Sequence, residues 1–234
     1  MIKEVIAKMF LAEERGFNDA GWFSSYNTFN FGKYQQAHKQ PLGDLYIWND
    51  DELAGGASYS MMVEEASFII LLPIAGAVTY KDTNGTETLV AAGQVQVTAL
   101  SKDSVATFTN PFPEHAVNFL QVWMKNSSDN GNTLFYNHTF DTINDNINSF
   151  VPLVSGSTMN EFPASLSIAR FSGRGEAVYQ TTLSKADLFL FVLEGAFEVE
   201  GRLLHPRDGL ALSNTDSIEL EALSDNAIIL LVEQ

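Results

Sequence analysis

The sequence predicts an all-β protein made of two successive antiparallel barrels. Convincing helical periodicity is scarce along the 234 residues. Most segments are short runs rich in Val, Ile, Thr, Phe and Tyr that end at Gly, Asn, Asp or Pro. A strand–turn–strand pattern also occurs twice at a nearly constant separation. Short strands between frequent turns are typical of β-sandwiches and barrels, and the repeat indicates two copies of one barrel.

The first half of the chain contains a series of predicted strands. Asn84-Gly85 lies between two β-type runs and predicts a hairpin, because both residues tolerate positive φ. Strands are predicted at residues 44–48, 67–72, 77–81, 87–90, 94–99, 105–109 and 116–124. The acids Asp50, Asp51 and Glu52 follow the first of these, and we interpret them as exposed residues of a turn, since Asp and Asn bond their own backbone in turns.

The second half repeats this style. Strands are predicted at residues 165–171, 177–183, 188–193, 196–199, 210–213, 217–222 and 227–232. Residues 68–78 (FIILLPIAGAV) and 188–197 (LFLFVLEGAF) share an apolar strand and a turn glycine, Gly76 or Gly195, and a second glycine follows each at Gly93 or Gly209. We therefore predict an N-terminal barrel over residues 1–135 and a C-terminal barrel over residues 136–234, with the polar segment 124–160 as the connection.

Composition excludes several kinds of function. The net charge of −16 arises from 29 acidic and 13 basic residues without a basic cluster, which argues against direct nucleic-acid binding and against anionic membranes. There is no cysteine, so disulfides, thiolate metal sites and cysteine nucleophiles are excluded. No secretory signal is evident and the longest apolar run is too short to span a bilayer, so we expect a cytoplasmic protein.

Motifs in the first half resemble the pirin family of the cupin superfamily. They are Glu14-Arg15-Gly16, Gly21-Trp22, the run YNTFNF at 26–31 with Tyr34, LYIWNDDELAGG at 45–56, Ala92-Gly93-x-x-Gln96, Asn110-Pro111 and Gln121-Val122-Trp123. Their order and spacing together are similar to the opening half of pirins, whereas the second half resembles the family only as a generic cupin repeat. The resemblance implies a bicupin, two tandem cupin barrels of the jelly-roll type.

Pirins hold one iron in the N-terminal barrel through three histidines and a glutamate. Counting back from the turn glycine and from the Asn-Pro turn places the matching positions at Met62 and Glu64, and at Ala106 and Phe108. Only the Glu64 carboxylate could ligate a metal well, because a thioether, a methyl group and a phenyl ring cannot replace imidazole or carboxylate ligands. We therefore expect no metal site and no cofactor, and a pocket remodelled around these four residues.

The histidines elsewhere do not supply a substitute site. None of His38, His115, His138 and His205 belongs to a His-x-His pair. Unclustered histidines are rarely metal ligands, so we interpret His38 and His138 as surface residues and place the other two at a turn and in a hairpin.

Glu64 is a weak candidate for acid–base catalysis. If its side chain points inward, burial would raise its pKa and create a group able to exchange protons. The alternative is that Glu64 pairs with a basic side chain or lies at the solvated mouth of the barrel. No Gly-x-Ser-x-Gly motif or phosphate-binding loop is present.

Three functional hypotheses follow. The favoured one is a metal-free, pirin-like binding or regulatory protein, with a small apolar ligand in the N-terminal barrel or a protein partner, since some pirins act as transcription cofactors. The second is a metal-dependent quercetinase-type dioxygenase, as metal-bearing members of the family can be. The third is a metal-independent enzyme that uses Glu64.

Overall fold

The computed structural model describes residues 6–129, 134–140, 142–159 and 161–234. Strands dominate these residues, and the helices among them are two short 3₁₀ turns, Ala12–Glu14 and Thr142–Asn144. The strands are β1 (Ile6–Phe10), β2 (Gly16–Asp19), β3 (Phe23–Asn27), β4 (Leu45–Leu53), β5 (Ser58–Met62), β6 (Ser67–Ala75), β7 (Ala77–Asp82), β8 (Glu87–Ala91), β9 (Gln94–Leu100), β10 (Val105–Thr109), β11 (Val117–Lys125), β12 (Phe135–Thr139), β13 (Ser149–Ser155), β14 (Ser165–Phe171), β15 (Glu176–Gln180), β16 (Ala186–Glu194), β17 (Phe197–Val199), β18 (Arg202–Leu204), β19 (Gly209–Thr215), β20 (Ser217–Ala222) and β21 (Ala227–Glu233).

The N-terminal unit, Arg15–Phe140, contains two sheets. The larger has the order β12-β9-β6-β11-β4-β3-β2, and the smaller has the order β5-β10-β7-β8. One apolar core joins them, since Ile69 and Trp123 of the larger sheet pack with Tyr80 and Phe108 of the smaller. The unit is thus a jelly roll of facing open sheets and not a closed barrel.

The C-terminal unit comprises the described residues outside Arg15–Phe140. Its larger sheet has the order β1-β19-β16-β21-β14-β13, and its smaller sheet has the order β15-β20-β17-β18. Leu190 and Leu231 of the larger sheet share a core with Phe197 and Ile218 of the smaller. The prediction of an all-β protein with two tandem cupin folds is confirmed.

The boundaries of the units differ from the predicted ones. β1 pairs antiparallel with β19, from Ile6 opposite Ser213 to Phe10 opposite Gly209, so the beginning of the chain belongs to the C-terminal unit. The predicted connection at 124–160 contains strands as well, because β12 pairs with β9 and β13 pairs with β14. Residues 130–133, 141 and 160 of that segment lie outside the described residues.

The acidic run after Trp48 is not a turn. β4 continues through it to Leu53, and Asp50 and Asp51 are buried within the strand, whereas Glu52 is exposed. The prediction of a turn with exposed acids is wrong for Asp50 and Asp51, because cross-strand partners in β3 and β11 supply the hydrogen bonds that a turn would otherwise satisfy.

The internal repeat has a structural counterpart in both units. Gly76 connects β6 to β7 with φ of 81°, and Gly195 connects β16 to β17 with φ of 76°. A bulge one or two residues before each glycine shifts the register of β6 against β11 and of β16 against β21. The strand before the turn glycine is therefore irregular at the same position in both units. Residues of one unit can be matched to residues of the other by counting back from Gly76 and Gly195.

Among the described residues, no helix is long and apolar enough to cross a membrane.

Replacing Gly195 by Ala is expected to destabilise the protein by roughly 2 kcal/mol or more, since a left-handed backbone and a steric clash both act there. A Cβ at this position would lie 2.9 Å from the Ala227 Cα and close to Ser224. Gly201→Ala is the matched control, because Gly201 has φ of 72° but faces open space. Urea unfolding of both variants measures the difference. If both variants lost the same free energy of unfolding, the steric clash around Gly195 would contribute nothing beyond the cost of the left-handed backbone.

Candidate functional site

The interior of the N-terminal unit is defined by the pairing of β5 with β10. Tyr59 lies opposite Phe108, and Met61 lies opposite Ala106. Directly opposed residues of an antiparallel pair point to the same face. Ala106 and Phe108 are fully buried, and Tyr59 and Met61 are half-buried against the same core. These four residues therefore face the space between the two sheets.

Two of the predicted site residues lie elsewhere. Met62 is 60% exposed and pairs with Val105 on the outer face of the sheet. Glu64 is exposed in the bend between β5 and β6, so the pocket expected around it is not found there, and of the alternatives left open for its side chain the solvent-exposed one is observed. The error arises from the bend, because counting back from Gly76 assumed an uninterrupted strand and assigned the wrong parity to β5. The inward pair of β5 is Tyr59 and Met61.

Aromatic rings fill this space. Phe108 stacks on Tyr59 at 5.3 Å and on Phe119 at 6.0 Å, and it meets Tyr80 edge-on at 5.8 Å between ring centroids. The Phe23 ring lies 4.3 Å from the Tyr59 ring on its other side. Rings at such distances attract each other beyond the gain from burial. Phe108 is thus the centre of an aromatic cluster that occupies the middle of the unit.

A buried polar cluster lies beside these rings. The Tyr59 hydroxyl donates a hydrogen bond of 2.8 Å to Asp51 Oδ2. The Gln121 amide donates to the same carboxylate and to the Tyr59 hydroxyl, and its oxygen accepts a bond of 3.1 Å from Trp123 Nε1. We name Asp51, Tyr59 and Gln121 the polar cluster. Asp51 and Gln121 are fully buried.

The polar cluster has unusual proton affinities. Burial raises the pKa of Asp51 from 3.8 to about 6, although hydrogen bonds from Ser25, Tyr59 and Gln121 oppose the rise. Burial, together with the charge of Asp51, raises the pKa of Tyr59 well above its usual 10. Tyr59 therefore stays a neutral hydrogen-bond donor, and Asp51 is the group of the pair that can titrate near neutral pH.

The neighbouring carboxylate Asp50 is held differently. Arg15 Nη1 lies 3.2 Å from Asp50 Oδ2, with both side chains less than a tenth exposed. Asn118 donates a bond of 2.7 Å to the other oxygen of Asp50. The ion pair and the hydrogen bond compensate the cost of burying the charge of Asp50. Asp50 therefore has a structural role, and its contact with Arg15 holds the residue that directly precedes β2 in place.

The histidines do not assemble into a site. His38, His115 and His205 are exposed, and His138 is half-buried in β12, where its ring stacks on Tyr136 at 6.1 Å. Within the described part of the chain, no group of three or more histidine, aspartate or glutamate side chains could hold a metal ion. The inward positions of β5 and β10 carry a phenol, a thioether, a methyl group and a phenyl ring, which do not fit a divalent metal.

Comparison with known proteins shows a likeness to pirin-like cupins. The model of the quercetinase C-terminal cupin domain matches residues 162–233. A pirin-like protein of Caulobacter vibrioides is 27% identical over 226 residues, which cover 94% of this chain and 96% of the relative. This chain is thus similar to pirin-like cupins over nearly its whole length.

Other proteins similar to this chain carry enzyme names or a metal. A protein of Escherichia coli named quercetin 2,3-dioxygenase is 23% identical over 222 residues, 94% of this chain and 95% of its own. The crystal structure of the bacterial pirin YhhW of Escherichia coli in complex with nickel(II) superposes with a TM-score of 0.83 at 20% identity and covers 97% of this chain and 98% of that one. The family model matches the half of the chain that sequence motifs identified only as a generic cupin repeat.

Asp51→Asn is expected to remove a pH dependence of stability. The folded protein holds the Asp51 proton more tightly than the unfolded chain, so stability falls as pH rises from 3.8 through about 6 and stays lower above it. A shift of this size corresponds to at most about 3 kcal/mol. Asn cannot ionise, and its side-chain oxygen can still accept hydrogen bonds from Tyr59 and Gln121. The free energy of unfolding of the variant should therefore not decrease over this pH range.

Urea unfolding from about pH 3 to about pH 8 brackets the two pKa values and measures this difference. Asp50→Asn is the control, since it breaks the ion pair with Arg15 and should lower stability at neutral pH. Parallel pH profiles for the Asp51 variant and the unaltered protein would contradict the assignment.

Phe108→Ala tests whether the interior is a packed core or an open site. Deleting a fully buried ring from a packed core is expected to cost about 3–5 kcal/mol, because it leaves a cavity. Phe135→Ala, in the same unit and 45% exposed, should cost less than about 1 kcal/mol. Denaturant unfolding gives both values. Similar small losses in the two variants would indicate an open site at Phe108.

Proposed function

We propose that this chain is a metal-free pirin-like cupin that acts as a binding or interaction protein and not as an oxygenase. The observation that carries this proposal is the set of residues facing the interior from β5 and β10, namely Tyr59, Met61, Ala106 and Phe108. The phenol of Tyr59 is the one oxygen ligand among them, and the Met61 thioether is a soft ligand that suits Cu(I) rather than nickel(II) or iron. The Tyr59 hydroxyl is already bonded to Asp51 and Gln121.

The packing of the N-terminal unit supports the same proposal. An oxygenase needs space for a planar substrate beside its metal, whereas Phe108 has ring contacts with Tyr59, Tyr80 and Phe119. The expected small apolar ligand in this unit is therefore disfavoured. The inward residues stabilise the fold, and the surface and the C-terminal unit are left to carry the binding function.

Exposed aromatic residues support an interaction role. Phe17 of β2 is 53% exposed and packs 4.6 Å from the ring of Tyr26 in β3, while Trp22, in the turn between these strands, is 45% exposed. Aromatic side chains are enriched in protein interfaces, where they bury large areas at little entropic cost. A protein partner of the N-terminal unit would find suitable contacts at this turn.

Glu64 does not support the acid–base hypothesis, because its side chain is exposed in the bend between β5 and β6 and not enclosed in a pocket. Asp51 is a carboxylate with a raised pKa, but it is fully buried and its Oδ2 already accepts hydrogen bonds from Tyr59 and Gln121. Its position is that of a buried structural acid.

Metal analysis together with a turnover assay tests the proposal. The chain, purified without chelator from cells supplied with nickel and iron, is expected to contain far less than one transition metal ion per chain and not to consume quercetin or dioxygen. The quercetin 2,3-dioxygenase of Escherichia coli, treated in parallel, is the positive control. One tightly bound metal per chain, or quercetin consumption that a chelator abolishes, would overturn the proposal in favour of the dioxygenase.

A further inference from the structure

The C-terminal unit contains a pocket with a volume of about 600 Å³. It opens beside β13, β14 and β15, and its walls include Phe150, Phe162, Tyr179 and Leu183. The Phe150 and Tyr179 rings meet edge-on at 5.1 Å, which gives one wall a fixed shape. Pockets for small molecules commonly have volumes of roughly 300–1,000 Å³ and mostly apolar walls with a few polar groups.

Comparison of the two units explains why this pocket exists. In the N-terminal unit, Ile47 of β4 lies opposite Trp123 of β11, and both are buried in the core. Counting from the two turn glycines, the matching pair is Ser165 of β14 opposite Glu233 of β21. The smaller serine and the carboxylate replace an isoleucine and an indole. The space that these side chains fill in one unit is therefore open in the other.

The floor of the pocket is a fully compensated carboxylate. Glu233 is 1% exposed. Its Oε1 accepts bonds from the Thr182 amide at 2.6 Å, the Thr182 hydroxyl at 2.9 Å and the Leu183 amide at 2.7 Å, and its Oε2 accepts a bond from the Tyr179 hydroxyl at 2.7 Å. These four hydrogen bonds offset the cost of removing the Glu233 carboxylate from water. The carboxylate thus needs no cation from a ligand, and it fixes the rim residues Thr182 and Leu183.

The chemistry of the walls selects the ligand. A buried carboxylate and a net charge of −16 disfavour anions, while the satisfied Glu233 does not favour cations. Aromatic and aliphatic walls favour an apolar ring. Ser165 and Ser167 lie on the same face of β14 and line the pocket, so hydroxyls that can donate or accept are available.

We propose that the mouth of the C-terminal unit is a binding site for a neutral, ring-containing small molecule that carries a hydrogen-bonding group. This proposal does not depend on whether the N-terminal unit binds a metal ion. The lining residues of the pocket all belong to the C-terminal unit. A result for or against oxygenase activity therefore leaves it unchanged.

Two fluorescent probes that differ by one sulfonate group test this site. The neutral N-phenyl-naphthylamine is expected to bind saturably with increased fluorescence, and anilinonaphthalene sulfonate is expected to bind at least about tenfold more weakly because its sulfonate meets the Glu233 charge. Equal affinities for the two probes, or no saturable binding of the neutral one, would overturn the proposal.

Matched variants locate the binding. Leu183→Asp places a charge on the apolar rim and should weaken binding of the neutral probe about tenfold, while Leu203→Asp, outside the pocket, should leave it unchanged. The two leucines are 47% and 48% exposed, so neither change should impair folding. Equal effects of the two changes would show that the probe binds elsewhere.

Filling the pocket gives a second test. Ser165→Ile introduces the residue found at the matching position of the N-terminal unit and should abolish probe binding. Ser149→Ile, on the adjacent strand β13 and exposed to solvent, is its control, and Asp51→Asn should leave binding unchanged because it alters only the N-terminal unit. Thermal unfolding identifies the folded variants. Undiminished binding in a folded Ser165→Ile protein would contradict the proposal.

Discussion

The pairing of Tyr59 with Phe108 across β5 and β10 determines what the N-terminal unit can contain. Because opposed residues share a face, this register sends both rings inward and turns Met62 outward. The phenol then requires a polar partner in an apolar interior, and Asp51 and Gln121 provide it. Burial destabilises the ionised form of Asp51, and a shift of β5 by one residue would remove the hydrogen bond that Tyr59 donates to it.

Much of the fold follows from the sequence, because turn residues and β-branched runs act locally. Strands β10, β14 and β20 have their predicted bounds, and the turn glycines Gly76 and Gly195 revealed the duplication. Strands such as β5 and β12 were missed because their half-exposed, polar sequences give little apolar signal of their own and are stabilised by partners distant in sequence.

The site was predicted less well for a related reason. Ala106 and Phe108 lie on a strand of predictable bounds and are buried, whereas Met62 and Glu64 were assigned by counting across a bend that the sequence does not reveal. The polar cluster was missed because its acid lies in a run that resembles a turn. A signal was present: Gln121 within the otherwise apolar run 119–124 indicates a buried hydrogen-bonding partner.

The pairing of β1 with β19 has a consequence for how the protein is made. β1 leaves the ribosome before its partner strand, because residues 209–215 are synthesised only after the whole N-terminal unit. Until then β1 is an unpaired strand with an exposed isoleucine, Ile6, and its pairing closes a loop that spans most of the chain. Completion of the C-terminal unit is therefore a late event in biosynthesis, and an interrupted chain presents that strand to any other open sheet edge.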